Sequence, residues 1–302
     1  MRPQAALILD RTMVLFLGLA AGALISFSFF PGGGDPTSAA QSAPVPPRPA
    51  ATAAAVAADR PGRRLAAAVA ERRPIAIGVF GDSFGDGVWA GLYHTLPSAD
   101  GFEVHKLSER STGFTRYRSL NLLDDVRTKL DRQPVDIAVL SFGANDTQGI
   151  YLDGHGNRFM SEGWQRIVAE RVAAIVGLLR QRGITVYWVG LPKMRDPDFD
   201  ADIAAMNRFY AERMRALNVP YVETAGTTAD AGGHYAPYLR DPRDGRRIMA
   251  RANDGIHMTI PGYVIVMRGL AGRIRHSVAE ARTRARRDAE AHARANGAGA
   301  SG

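Results

Sequence analysis

Residues 75–85 read IAIGVFGDSFG. The run Ile75–Phe80 is apolar and rich in β-branched side chains, the composition of a buried strand. It ends on Gly81 and passes into Asp82 and Ser83, residue types that open helices. A strand followed by a turn and a helix is the first unit of a longer alternation. Phe102–Leu107, Val135–Phe142, Ile184–Gly190 and Val219–Val222 also read as strands. The third and fourth strands are almost unbroken apolar runs, as expected where helices cover both faces of a sheet. Helices are predicted at about 86–96, 119–132, 161–182, 202–217 and 261–275. Strand–helix alternation over some 200 residues predicts a three-layer α/β domain around a parallel sheet of about five strands. Ligands in such sheets collect at the C-terminal ends of the strands.

Three of those ends or nearby loops carry polar residues that a packed core does not need. Gly81-Asp82-Ser83-Phe84-Gly85 follows the first strand and Gly143-Ala144-Asn145-Asp146 follows the third. Asp254-Gly255-Ile256-His257 precedes the last helix. A serine hydroxyl is a weak nucleophile without a base in hydrogen-bond reach. His257 is the candidate base, and Asp254 is the acid that orients it. An acyl-transfer intermediate also needs donors at its oxyanion. Candidates are the Ser83 backbone N–H, the Asn145 amide and the N–H of Gly113, in Ser111-Thr112-Gly113-Phe114 after the second strand. Asp82 and Asp146 read as loop-holding residues.

These four blocks, in this order from Ile75 to about Ile274, resemble the SGNH/GDSL hydrolase superfamily. The resemblance implies an α/β/α flavodoxin-like sandwich. It implies Ser83 as nucleophile and first oxyanion donor, Gly113 and Asn145 as further donors, and Asp254 and His257 as the rest of a triad. It implies no cofactor and no metal. Phe84 stands where the family has leucine, and Gly113 is placed by position alone. Two other patterns overlap the first block. Gly81–Gly85 also satisfies Gly-x-Ser-x-Gly, but that elbow follows several strands and takes its acid and histidine from separate loops. Gly85–Ala90 satisfies a degenerate dinucleotide fingerprint that nothing else in the chain supports. The polar run Asp153–Asn157 matches no defensible ligand set.

The ends of the chain bear on location. Met13–Phe30 is an uncharged run of 18 residues behind Arg2 and Arg11. As a helix it spans about 27 Å, close to the hydrocarbon thickness of a bilayer. It is expected to be a single-pass inner-membrane anchor that leaves the catalytic part in the periplasm. The alternative is a signal peptide cleaved near Ser38-Ala39-Ala40. Residues 31–72 read as a Pro/Ala-rich linker, 73–276 as the hydrolase domain and 277–302 as a charged Ala/Arg-rich tail. The formal charge of +8 divides as +1 in residues 1–30, +2 in 31–72, +2 in 277–302 and +3 in 73–276. An excess carried by the flanks suits anionic lipid or cell-wall polymer and argues against nucleic acid. The chain has no cysteine, which excludes disulfides, thiolate metal sites and a cysteine nucleophile.

Residues 224–253 form a long Gly/Arg-rich connection in which Tyr235, Tyr238 and Arg240 are candidate substrate contacts. With a periplasmic address, the resemblance implies an O-acyl ester, most simply O-acetyl, on an envelope glycan or lipid. Hydrolysis, acyl transfer to a sugar, or glycan binding without catalysis are the readings left open here.

Overall fold

The computed structural model describes residues 62–299. The candidate anchor and residues 31–61 of the predicted linker lie outside them. In chain order the elements are α1 (Arg63–Ala70), β1 (Ile75–Gly81), α2 (Ser83–Thr95), β2 (Phe102–Lys106), α3 (Leu122–Arg132) and β3 (Ile137–Ser141). A small hairpin of β4 (Ile150–Leu152) and β5 (His155–Asn157) follows. Next come α4 (Glu162–Gln181), β6 (Thr185–Val189), α5 (Pro197–Ala216) and β7 (Tyr221–Val222). A second hairpin, β8 (Tyr238–Arg240) and β9 (Arg247–Met249), leads into α6 (Ile260–Gly299).

The main sheet has the order β2-β1-β3-β6-β7 and every pairing in it is parallel. β1, β3 and β6 are buried along their whole length, as their almost unbroken apolar sequences require. Alternation along β1 sends Ile75, Ile77 and Val79 into a core shared with α1, α2 and α6. Ala76 and Phe80 point into a second core, with α3, α4 and most of α5. The result is the α/β/α sandwich expected from the sequence. Chain order reverses between β1 and β3, so a crevice is expected where the loops after those strands diverge.

Glycine explains how tightly α2 meets its surroundings. A Cβ at Gly87 or Gly91 would strike Tyr263 or Met267 of α6, and one at Gly85 would press on Ser108 and Phe80. Small residues at i and i+4 let the two helices cross closely. The glycines that mimic a dinucleotide fingerprint therefore serve helix packing.

Two boundaries differ from those drawn on the sequence. Residues 63–70, at the end of the linker where the Ala/Arg stretch suits a helical turn or two, pack with the domain. They form α1, which buries Leu65 and Ala68 completely and is pinned by a hydrogen bond from the Arg64 N–H to Gly183 O (3.0 Å). Beyond 275 the chain takes the first of the two forms open to Val278–Ala295, a helix extension or a disordered tail. It runs on through the predicted tail, burying Ser277, Val278 and Ala281, and Ser277 Oγ meets Tyr187 Oη at 3.0 Å. Ile274, Val278 and Ala281 repeat at helical spacing, a narrow stripe that the surrounding arginines mask in the sequence. Residues 224–253 also hold more order than a plain loop, since they contain the β8–β9 hairpin and a short 3-10 turn at Gly226–Thr228. Among the described residues, no helix is long and apolar enough to cross a membrane.

Candidate active site

Ser83 is the first residue of α2. Asp82 caps the helix, its carboxylate accepting the Phe84 N–H at 2.8 Å. Ser83 therefore sits at the positive end of a 13-residue helix, beside backbone donors that have no intrahelical partner. The residue is half-buried, so its hydroxyl remains reachable.

His257 comes from the loop before α6 and lies 174 positions from Ser83, yet its Nε2 stands 2.8 Å from Ser83 Oγ. Its Nδ1 is 2.7 Å from Asp254 Oδ2. The other carboxylate oxygen of Asp254 accepts the N–H groups of Ile256 (2.8 Å) and His257 (2.9 Å). Desolvation alone raises the Asp254 pKa, but the His257 side chain and the two backbone donors outweigh it and hold the carboxyl below its ordinary value. Asp254 thus stays ionised and fixes the histidine tautomer with its proton on Nδ1, leaving Nε2 to accept from the serine. The Phe84 ring stacks on His257 with centroids 5.2 Å apart. The departure from leucine at this position gives the imidazole an aromatic wall.

Two guanidinium groups hold the Asp–His loop through its carbonyls. Arg195, just beyond the end of β6, donates to Asn253 O (2.9 Å) and Asp254 O (3.0 Å). Arg251 is 2% exposed and donates to Ile256 O at 2.7 Å. Gly255 has a φ of +75°, and a Cβ there would run into the Arg195 side chain. Neither arginine was singled out in the sequence. The available signal was a basic residue just past an apolar strand for Arg195, and one three positions before the Asp-x-x-His block for Arg251.

The loops after β2 and β3 close the other side. Gly113 and Asn145 are brought together, because the Asn145 amide donates to Thr112 O at 2.9 Å. The Gly113 N–H makes no hydrogen bond among the described residues. Any Cβ at Gly113 would stand 2.5 Å from Asp146 Oδ1, so only glycine fits. Asp146, fully buried, accepts the backbone N–H (2.7 Å) and hydroxyl (2.8 Å) of Thr115. Asp82 crosses from β1 to accept the Gly143 N–H at 3.3 Å. Gly143 has a φ of +133°, a conformation in which a side chain is strained. The two buried carboxyls thus tie the serine, glycine and asparagine loops to one another, in line with the loop-holding role read from the sequence.

Burial pushes Asp82 up to about 7, with the neighbouring Asp146 adding to the rise. Folded Asp82 therefore keeps its proton to a higher pH than the unfolded chain does. Its contribution to stability is full in acid and is lost as pH rises through about 7. Asp82→Asn cannot titrate and is less stable at low pH, because one carboxyl oxygen that accepts a backbone N–H is lost. The melting-temperature gap between wild type and Asp82→Asn is expected to narrow by at least a few degrees between about pH 5 and about pH 8. A gap independent of pH, followed by calorimetry, would show that Asp82 does not titrate in this range.

The structure separates the three candidate substrate contacts. Tyr235 is half-buried and lies against the guanidinium of Arg251 (4.8 Å), beneath the Asp–His loop. Tyr238 and Arg240 belong to the β8–β9 hairpin and are engaged within it. Arg247 covers the Tyr238 ring at 3.8 Å, and Arg240 donates to Gly245 O at 3.2 Å. Of the three, Tyr235 is joined to the triad loop, through Arg251. His155 bonds the carbonyl of Asp153 in its own turn.

Solved structures of similar fold include the periplasmic domain of a lipopolysaccharide acetyltransferase from Salmonella ser. Paratyphi A. It is 11% identical with a TM-score of 0.48, over 70% of this chain and 87% of that one. A GDSL-like lipase from Bacteroides thetaiotaomicron is 18% identical with a TM-score of 0.46, over 68% and 88%. A catalytic mutant of an acetylxylan esterase from Geobacillus stearothermophilus is 13% identical with a TM-score of 0.43, over 68% and 94%. No curated protein matches the sequence. A family model does, over residues 76–273, from the second residue of β1 into α6, so that it takes in every loop of the site. The chain belongs to the family described as "Protein of unknown function (DUF459)".

Proposed function

We propose that the protein is a serine esterase that removes O-acyl groups, in the first place O-acetyl, from glycans of the cell envelope. The observation that carries this reading is the unbroken relay Ser83 Oγ–His257 Nε2 (2.8 Å) and His257 Nδ1–Asp254 Oδ2 (2.7 Å) at the C-terminal edge of a parallel sheet. His257 takes the Ser83 proton as Oγ attacks the ester carbonyl. The oxyanion that forms is met by the N–H groups of Ser83 and Gly113 and by the amide hydrogen of Asn145 not spent on Thr112. The intermediate collapses with the sugar oxygen leaving, and His257 returns the proton to it. A water, deprotonated by His257, then attacks the acyl–Ser83 ester, releases the acid and restores the serine. The relay positions are filled by protein side chains at every step. The uncharged run at 13–30 supports placing this domain on the periplasmic side of the inner membrane.

The deciding experiment follows turnover of a chromogenic acetate ester and labelling of Ser83 by a fluorophosphonate. Ester turnover with label on Ser83 is expected. A protein that neither turns over the ester nor takes up label has no working relay, and the reading falls. The same assay with a sugar acceptor reports by mass whether the acyl group passes to water or to a hydroxyl.

A further inference from the structure

The opposite edge of the sheet carries a second concave feature, a cleft of about 680 Å³ where β1 begins. It lies between the end of α1 and the outer part of α6, and Arg72, Arg73, Arg282 and Arg286 line it. No Asp or Glu is among its lining residues. Arg73 is committed, gripping the buried Asp136 with two bonds of 2.7 Å. The side chains of Arg72, Arg282 and Arg286 form no hydrogen bond or ion pair among the described residues, and all three are exposed. The wall between them is apolar, with Val69 and Ile75 on one side and Ala285 and Ala289 on the other. Helical spacing places Arg282, Ala285, Arg286 and Ala289 on one face of α6.

Uncommitted guanidiniums around an apolar wall suit an amphiphilic anion, and the planar guanidinium fork matches phosphate as it matches carboxylate. The path of the chain narrows the source. Polypeptide enters the described domain at Gly62, whose N–H donates to Thr185 Oγ1 (2.8 Å) at the first residue of β6. That is the same sheet edge as the cleft. Residues 31–61 separate this point from the apolar run at 13–30. A chain of that length reaches at most about 110 Å when fully extended, so the domain cannot leave the neighbourhood of a membrane that holds residues 13–30.

We propose that the arginine cleft is a docking surface for anionic phospholipid headgroups of the membrane in which residues 13–30 are anchored. The domain then stands with the N-terminal edge of its sheet on the bilayer. A strand the length of β1 spans roughly 20 Å. Ser83 therefore opens away from the lipid, toward polymer outside the membrane. This rests on the anchored reading and sharpens it: the acyl ester is carried by an envelope glycan beyond the bilayer surface.

The chain lacks cysteine, so Ala289→Cys in the full-length protein gives a single thiol for a polarity-sensitive dye. The labelled protein is incorporated into phosphatidylcholine vesicles with and without about 30% phosphatidylglycerol. Emission is expected to shift to the blue only with phosphatidylglycerol and to return at about 0.5 M salt. Each arginine near an anionic surface contributes about fivefold, so Arg282→Gln/Arg286→Gln should lower the docked-to-free ratio about 25-fold. That variant should keep its melting temperature and its turnover of a soluble ester, which separates failure of docking from failure of the esterase reading. An equal shift on pure phosphatidylcholine, or one retained in the double variant, overturns the proposal. Reversal by inorganic phosphate at matched ionic strength also overturns it, in favour of a soluble anion. Flotation of the chain with pure phosphatidylcholine vesicles tests the anchor separately. Should the anchor fail, flotation that requires both phosphatidylglycerol and the two arginines still decides the cleft.

Discussion

Ser83→Ala and His257→Ala are each expected to lower ester turnover by roughly four to six powers of ten, and the double variant to be little worse than either. The reason is a single proton path. Ser83 Oγ has one basic partner among the described residues, His257 Nε2 at 2.8 Å, to take its proton. Without the imidazole the hydroxyl stays protonated and weakly nucleophilic. Without the hydroxyl the imidazole has nothing to activate but water. The second mutation therefore removes a function already lost. What remains should come from the donors around the oxyanion, which neither substitution touches. Asp254→Asn belongs to the same series. It keeps the shape of the loop but loses the charge that holds the Nδ1 tautomer, and a loss of about four powers of ten is expected. Turnover numbers for the two single variants and the double variant check this. Losses that multiply would mean that Ser83 and His257 act in separate steps, and the relay would not be the catalytic unit. His257→Ala also removes the partner stacked on Phe84, so melting curves must accompany the rates.

The parts of this relay differ in how far they could be read from sequence, and the reason lies in what each depends on. The strands around it were readable to within one or two residues because β1, β3 and β6 are buried on both faces and so are apolar but for Ser141 and Thr185 at their ends. The loops were readable because Ser83, Asn145 and the Asp254–His257 pair sit at strand ends or just before a helix, where packing asks for no such residues. The supports were not readable. Phe84 looks like any core residue until its ring is seen on His257. Arg195 and Arg251 act through carbonyl oxygens, which leave no trace in side-chain type. The requirement for glycine at 113 arises from the carboxylate of Asp146, 33 positions away, and not from a turn. Charge also hid structure. Leu65 and Ala68 were set among arginines and alanines that read as linker, and Val278 and Ala281 among those that read as tail. Burial of two or three small side chains suffices to dock a helix flank, and that is below what periodicity can signal.

Asn145 is where catalysis and architecture can be pulled apart, since the structure gives its amide two possible tasks. One N–H reaches Thr112 O at 2.9 Å and braces the loop that leads into Gly113. The other is the proposed oxyanion donor. The two tasks predict different losses. A neutral hydrogen bond of this kind is worth about 1 kcal/mol to the fold, which for a domain of this size lowers the melting temperature by about 2–4 °C. A donor that meets charge only as it develops is worth more, about two to three powers of ten in turnover, with little change in the Michaelis constant. Asn145→Ala is therefore expected to melt a few degrees lower, to bind substrate about as well, and to turn it over at least about a hundredfold more slowly. Asn145→Asp removes both donors and sets a negative charge beside the growing oxyanion, so its turnover should fall further still. If Asn145→Ala melts lower but keeps its turnover per folded molecule, the amide is a brace alone. The oxyanion would then be held by the backbone N–H groups of Ser83 and Gly113, and the case for esterase chemistry would rest on the Ser83–His257–Asp254 relay.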